Sequence, residues 1–196
     1  MLVTVHINVM SSSQHFLASH QLPGDVWLAQ PTRHQLSSGG GHTCTVLYGS
    51  KAWCWGEGFG GRVGVGSNEN VFQPARVQST AWGNASTSTS PVLITAGGTH
   101  TCALLLDGSL WCWGTGSSGQ LGVGGAMEDK LLPHPVRASS WGGQPGKDAV
   151  THVSCGRFHT CAVVAGGSLW CWGAGGSGQL GVGDTSPRGS PAPVRP

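Results

Sequence analysis

The sequence predicts an all-β protein assembled from repeated four-stranded antiparallel sheets. Three observations lead there: one phrase recurs three times, glycine is abundant, and no long stretch has a helical apolar period. The phrase reads GGGHTCTVLYGSKAWCWG at 39–56, AGGTHTCALLLDGSLWCWG at 96–114 and CGRFHTCAVVAGGSLWCWG at 155–173. Its histidine falls at His42, His100 and His159, spacings of 58 and 59 residues. A fixed period of this size marks a repeat architecture, in which each unit is too thin to bury its own faces. The 196 residues include 34 Gly, 11 Pro and 9 Trp, and 9% are charged, where a globular domain carries ~25%. Disorder would need a high net charge. Here it is +2, and nine indoles call for a core.

The elements follow in chain order. Residues 3–9 alternate as a strand but match no repeat phrase, so 1–33 are set apart as an N-terminal strand and linker. The repeats are bounded at 34–91, 92–149 and 150–196. In each, strand one is 34–38, 92–96 or 150–154, strand two starts at His-Thr-Cys, and strand three ends on Trp-Cys-Trp-Gly. A glycine phrase follows, GRVGVG at 61–66 and GQLGVG at 119–124 and 178–183. It reads as a connector, because glycine permits positive φ and close chain approach. Strand four surrounds Pro74-Ala75-Arg76, Pro135-Val136-Arg137 and Pro193-Val194-Arg195. Proline suits an edge strand, where no ladder bond is asked of it. Polar spacers carrying Trp82-Gly83 and Trp141-Gly142 separate the units, and one short helix is expected at 126–132, between Gly125 and Pro133.

The hairpin between strands two and three can be placed in register. Cys102 and Cys112 are symmetric about Asp107. A three-residue loop, Leu106-Asp107-Gly108, pairs Leu105 with Ser109 and Cys102 with Cys112, and puts Gly108 where a left-handed residue is wanted. Cys161 and Cys171 repeat this about Gly166, with Gly167 in the third place. Cys44 and Cys54 keep the spacing, but Ser50 replaces the glycine, so that turn is strained or of another type. Directly opposed strand residues have Cβ atoms ~4.5–5.5 Å apart. Each Cys pair can therefore be a pair of core thiols, a disulfide or metal ligands. The first ten residues lack a secretory pattern, so reduced thiols are expected. Cys155 has no counterpart in the other repeats. Alternation puts Trp53, Trp55, Trp111, Trp113, Trp170 and Trp172 on the opposite face. Every sheet then has a thiol face and an indole face, both apolar, and needs a neighbour on each.

These phrases resemble the repeats of the regulator of chromosome condensation (RCC1) family, over residues 34–196. The resemblance implies a β-propeller, since family members form rings of seven four-stranded blades. Three repeats imply a partial, three-blade RCC1-like propeller that needs further repeats or self-assembly to complete the ring. It also implies two alternatives to a plain scaffold: a guanine-nucleotide exchange factor for a small GTPase at chromatin, and an extracellular receptor-type or inhibitor-type propeller.

Catalytic patterns are missing. The sequence has no phosphate loop, nucleophile elbow or dinucleotide fingerprint. Its carboxylates, Asp25, Glu57, Glu69, Asp107, Glu128, Asp129, Asp148 and Asp184, fall at no spacing that demands acid–base work. No enzyme activity and no cofactor are expected. His42, Cys44 and Cys54 are zinc-ligand types, but one unit supplies only three ligands. The expected roles are structural, with His bonding backbone at a turn and Cys packing. The charge balance offers little to nucleic acid, and no apolar stretch is long enough for a membrane helix. An intracellular protein is expected, with an extracellular one as the alternative. The glycosylation sequon at Asn84 is read as chance. The expected function is a non-enzymatic protein-binding scaffold that meets its partner through loops differing between copies: 57–60, 67–72, 126–132, 144–148 and 185–190. Glu57, Glu69, Glu128, Asp129, Lys130 and Arg188 carry much of the scarce charge there.

Overall fold

In the first of three sheets, β1 (Gln35–Ser38), β2 (His42–Leu47), β3 (Lys51–Gly56) and β4 (Val71–Arg76) lie side by side in chain order. The second holds β5 (Pro91–Ala96), β6 (His100–Leu105), β7 (Leu110–Gly114) and β8 (Lys130–Pro135), and the third β9 (Val150–Cys155), β10 (His159–Val164), β11 (Leu169–Gly173) and β12 (Arg188–Pro193), in the same order. All pairings are antiparallel. The computed structural model describes residues 35–47, 51–79, 89–136, 141 and 149–194. The expected strand at 3–9, the turn at 48–50, Trp82-Gly83, the Asn84 sequon and the loop at 144–148 lie outside them.

The hairpins follow the register their sequence sets. Leu105 N–H donates to Ser109 O at 2.9 Å, and Gly108 closes the turn at φ 82°. Val164 donates to Ser168 O at 3.1 Å, and Gly167 has φ 86°. Cys102 stands opposite Cys112, Cys161 opposite Cys171, and Cys44 opposite Cys54. Bonded and non-bonded pairs alternate along an antiparallel ladder. Counting from the bonded pair Leu105–Ser109, the cysteines occupy a non-bonded pair, where strands approach most closely. Each cysteine pair has a Cα separation of 4.1 Å and is joined as a disulfide, in place of the reduced thiols expected.

The fourth strand differs from expectation at its start. No helix forms at 126–132; Lys130 already pairs with Gly114 at the head of β8. Seven residues are too few for a helix to hold without tertiary support, whereas the open edge of β7 offers ladder bonds. Phe59–Gly61 is a single 3-10 turn.

The cores lie between sheets. One joins Cys44, Val46, Cys54 and Val63 of the first repeat to Ile94, Ala103, Leu105 and Trp113 of the second. The other joins Cys102, Leu104, Cys112 and Leu121 of the second to Val150, Val153, Ala162 and Trp172 of the third. Thus the cysteine face of one sheet meets the tryptophan face of the next. Spacer residue Trp141 seals the second core edge-on to Trp170 and Trp172, at 5.8 and 5.6 Å between ring centroids.

Gly122 shows how tight this seam is. It has φ 67°, and a Cβ there would stand 2.5 Å from Trp172 Nε1. Gly167 also has positive φ, but nothing lies within 4 Å of its Cβ position. Urea unfolding should therefore show Gly167→Ala losing about 1–2 kcal/mol, the left-handed backbone cost alone. Gly122→Ala should lose a further ~1–3 kcal/mol by crowding the indole.

Candidate functional site

Strand direction gathers six loops at one end of the three sheets. The loops joining first to second strands and the connectors joining third to fourth strands both emerge there. The inner three are Gly39-Gly40-Gly41, Gly97-Gly98-Thr99 and Gly156-Arg157-Phe158. They touch through main chain: Gly40 N–H donates to Gly97 O at 3.0 Å, and Gly98 N–H to Gly156 O at 3.2 Å. A Cβ on Gly40 would lie 2.7 Å from Gly98 O, and one on Gly98 2.6 Å from Arg157 O, so a side chain at either glycine would collide with the next loop. With Glu57, Arg62 and Cys155 these loops line an open basin of about 750 Å³.

Behind the basin, each seam is fixed by one shared acceptor. Arg62 O accepts from Thr101 Oγ1 at 2.8 Å and from Trp113 Nε1 at 3.0 Å. Gln120 O accepts from Thr160 Oγ1 at 2.8 Å and from Trp172 Nε1 at 2.9 Å. The threonine hydroxyls also meet a histidine of the preceding sheet. His42 Nε2 lies 2.7 Å from Thr101 Oγ1, and His100 Nε2 lies 2.8 Å from Thr160 Oγ1. Each hydroxyl gives its hydrogen to a carbonyl, so the ring must donate through Nε2 and stays neutral with Nδ1 bare. Nδ1 of both rings is buried without a hydrogen-bond partner. The expected bond from the imidazole to turn backbone gives way to this contact between sheets. Burial holds His42 down at about 4, helped by the Arg62 charge. Burial holds His100 down at about 3, helped by His42 and His159.

The basin carries two cations in different states. Arg62 is buried, bonds Glu57 Oε2 at 2.8 Å and gives Nε–H to Phe59 O at 2.9 Å. Arg157 is exposed, lies over the Phe158 ring at 5.0 Å, and has no carboxylate partner among the described residues. Of the six charged residues expected at a contact surface, only Glu57 lines the basin. Glu69 is exposed on the first connector. Asp129 Oδ1 accepts from Gly116 N–H at 3.0 Å, the bond Asn70 makes to Gly58 in the first repeat. Lys130 pairs with Glu128 at 3.4 Å, and Arg188 with Asp184 at 2.6 Å. The Ser186 N–H, then Arg188, hold Asp184 below the usual carboxylate range.

Arg62 and Arg157 are not among the residues expected at a contact surface, though both leave a mark in the sequence. Arg62 is the one charge within the glycine phrases, where the other copies have Gln120 and Gln179. Arg157 is the one charge in the inner loops.

Comparison with known proteins agrees with the fold. The sequence model of the regulator of chromosome condensation (RCC1) repeat matches residues 51–104, 107–163 and 166–196. Each complete match runs from the third strand of one sheet through the second strand of the next. The ultraviolet-B receptor UVR8 of Arabidopsis thaliana is 32% identical over 160 residues, which cover 82% of this chain and 33% of that protein. The chain thus spans about a third of this relative's length. Among solved structures, human WBSCR16 superposes with a TM-score of 0.68 at 19% identity, over 85% of this chain and 42% of that one. Prp20p of Saccharomyces cerevisiae superposes with a TM-score of 0.65 at 22% identity, over 82% and 38%.

Two outcomes follow from the seam chemistry. The unfolded chain binds protons on His42 and His100 near pH 6.5, and the folded chain refuses them until about 4 and about 3. Stability should therefore fall as pH drops from 6.5 to 4, by up to ~1.4 kcal/mol per pH unit for each ring. Urea titrations at stepped pH would show it, with His100→Gln flattening the slope. Thr160→Val leaves His100 Nε2–H without its acceptor and should cost ~1–3 kcal/mol at pH 7 in the same assay.

Proposed function

The chain belongs to the regulator of chromosome condensation (RCC1) repeat family, and from that premise we propose that it is a non-enzymatic protein-binding scaffold whose basin end receives an acidic segment of a partner protein. One observation carries the reading. Arg157 offers an unpaired guanidinium beside an aromatic ring, at the mouth of a basin whose other cation is already neutralised. An exposed guanidinium gives a carboxylate two parallel N–H bonds, and the Phe158 ring gives an apolar neighbour a face to pack on. The glycine loops hold this pair on a rigid base, the arrangement by which scaffolds present contact residues. The basin thiol of Cys155 is pushed up to about 12 by burial, so it offers no nucleophile at neutral pH.

A regulatory alternative comes from Prp20p, whose structural report describes binding to Gsp1p and histones. Its likeness to this chain lies in the fold, so exchange activity here is an arm of the test. Proteins captured from extract by the chain should be lost, by tenfold or more, with Arg157→Glu. They should be kept with Lys51→Glu, which reverses an exposed charge at the start of β3, the end opposite the basin. Equal capture by both variants would move the contact surface elsewhere. Labelled nucleotide should leave a panel of small GTPases no faster when the chain is added; acceleration at substoichiometric amounts would replace the scaffold by an exchange factor.

A further inference from the structure

The second seam holds a group of side chains that the first lacks. Cys155, the last residue of β9, stands opposite Thr160. In the second sheet the residue opposite Thr101 is Ala96. Cys155 therefore adds a sulphur where the first seam has a methyl group. An imidazole nitrogen of His100, the Cys102 sulphur and the Cys155 sulphur all lie within 4.8 Å of one another. Cys112 is bonded to Cys102, so a fourth donor is at hand. His100, Cys102 and Cys112 are fully buried. Thr160, the ladder partner of Cys155, has its Oγ1 2.8 Å from His100 Nε2, so Nε2 is the ring nitrogen on the Cys155 side. Cys155 also lines the basin, which gives an ion a way in.

We propose that reduction of the Cys102–Cys112 bond opens a zinc site between the second and third sheets, with His100, Cys102, Cys112 and Cys155 as its ligands. One repeat supplies three of them; the fourth comes from the next repeat. Three thiolates and one imidazole are a closed tetrahedral set for this ion. The reductant is a dithiol: it gives two electrons and two protons to the disulfide, leaving two thiols in the protein, and departs as its own disulfide. Zinc then takes the Nε2 lone pair and displaces three thiol protons to solvent. The imidazole hydrogen moves to Nδ1, and Thr160 keeps its bond to Gln120 O. Tetrahedral zinc–sulphur bonds of ~2.3 Å set ligand sulphurs about 3.8 Å apart, so the donors of His100, Cys102 and Cys155 must close by up to roughly 1 Å, while the Cys102 and Cys112 sulphurs part once their bond is reduced. Coordination deprotonates a thiol outright, which is what the half-buried Cys155 needs to become a ligand. Oxidised, the cysteines tie β6 to β7; metal-bound, they tie one sheet to the next.

The first seam is an internal control, since His42, Cys44 and Cys54 there face Ala96. The full chain, reduced with a phosphine and freed of metal by a chelator, would be titrated with cobalt(II), then with zinc(II) in competition. One cobalt per chain should bind, with thiolate-to-metal absorption, and zinc should displace it. Cys155→Ala reproduces the composition of the first seam, so it should fold, as tryptophan fluorescence would verify. It should bind more than about a hundredfold more weakly, since losing a direct ligand costs more than losing an outer partner, at ~10–100-fold. Cys54→Ala should bind as the parent does. No thiolate–cobalt absorption in the reduced parent, unchanged affinity in Cys155→Ala, or two ions per chain would each overturn the proposal.

Discussion

Two main-chain carbonyls, those of Arg62 and Gln120, organise this structure. A carbonyl oxygen has two lone pairs, and each of these gives both to the next sheet. One goes to a threonine hydroxyl on that sheet's second strand, the other to an indole N–H on its third. Two donors from neighbouring strands fix where the sheet sits and how it tilts. Presenting the carbonyl takes a connector that turns back sharply, hence left-handed glycines at 61, 64, 119 and 122. It also takes an indole that can lie flat over Gly64 or Gly122, where a side chain would collide with it. The separate phrases of the repeat are thus parts of one joint.

That joint explains which parts of the fold were legible. Hairpin register could be read because Gly108 and the cysteine spacing are local and a strand has a period of two. The thiol and indole faces followed from alternation alone. The partners of His42 and Thr101 could not be read. Each contact crosses 39 residues or more, and the final acceptor is a backbone atom that carries no residue identity. The start of the fourth strand was hidden for another reason. Val71-Phe72, Lys130-Leu131 and Arg188-Gly189 have no residue type in common, so only the open edge of the preceding strand selects them. At 126–132 local preference pointed to a helix, and that edge prevailed.

The basin was half legible. Looking for charge in variable loops found Glu57 but passed over its partner, because Arg62 sits inside a shared phrase. There the changed residue keeps the common role through its carbonyl and adds a new one through its side chain. Asp129 shows the converse. It looked like a contact residue, yet its carboxylate closes its own connector on Gly116, as Asn70 closes the first on Gly58. A charged residue in a variable loop is functional only if its neighbours leave the charge unspent.

The placement of the disulfides has a mechanical meaning. Each spans ten residues within a single hairpin, and none links one sheet to another. Tension applied to the two ends of the chain would meet only hydrogen bonds and packing at the seams, while the middle of each hairpin could not be drawn out. Such a protein would lengthen in discrete steps, one sheet at a time, with a knot of locked chain left slack inside every step.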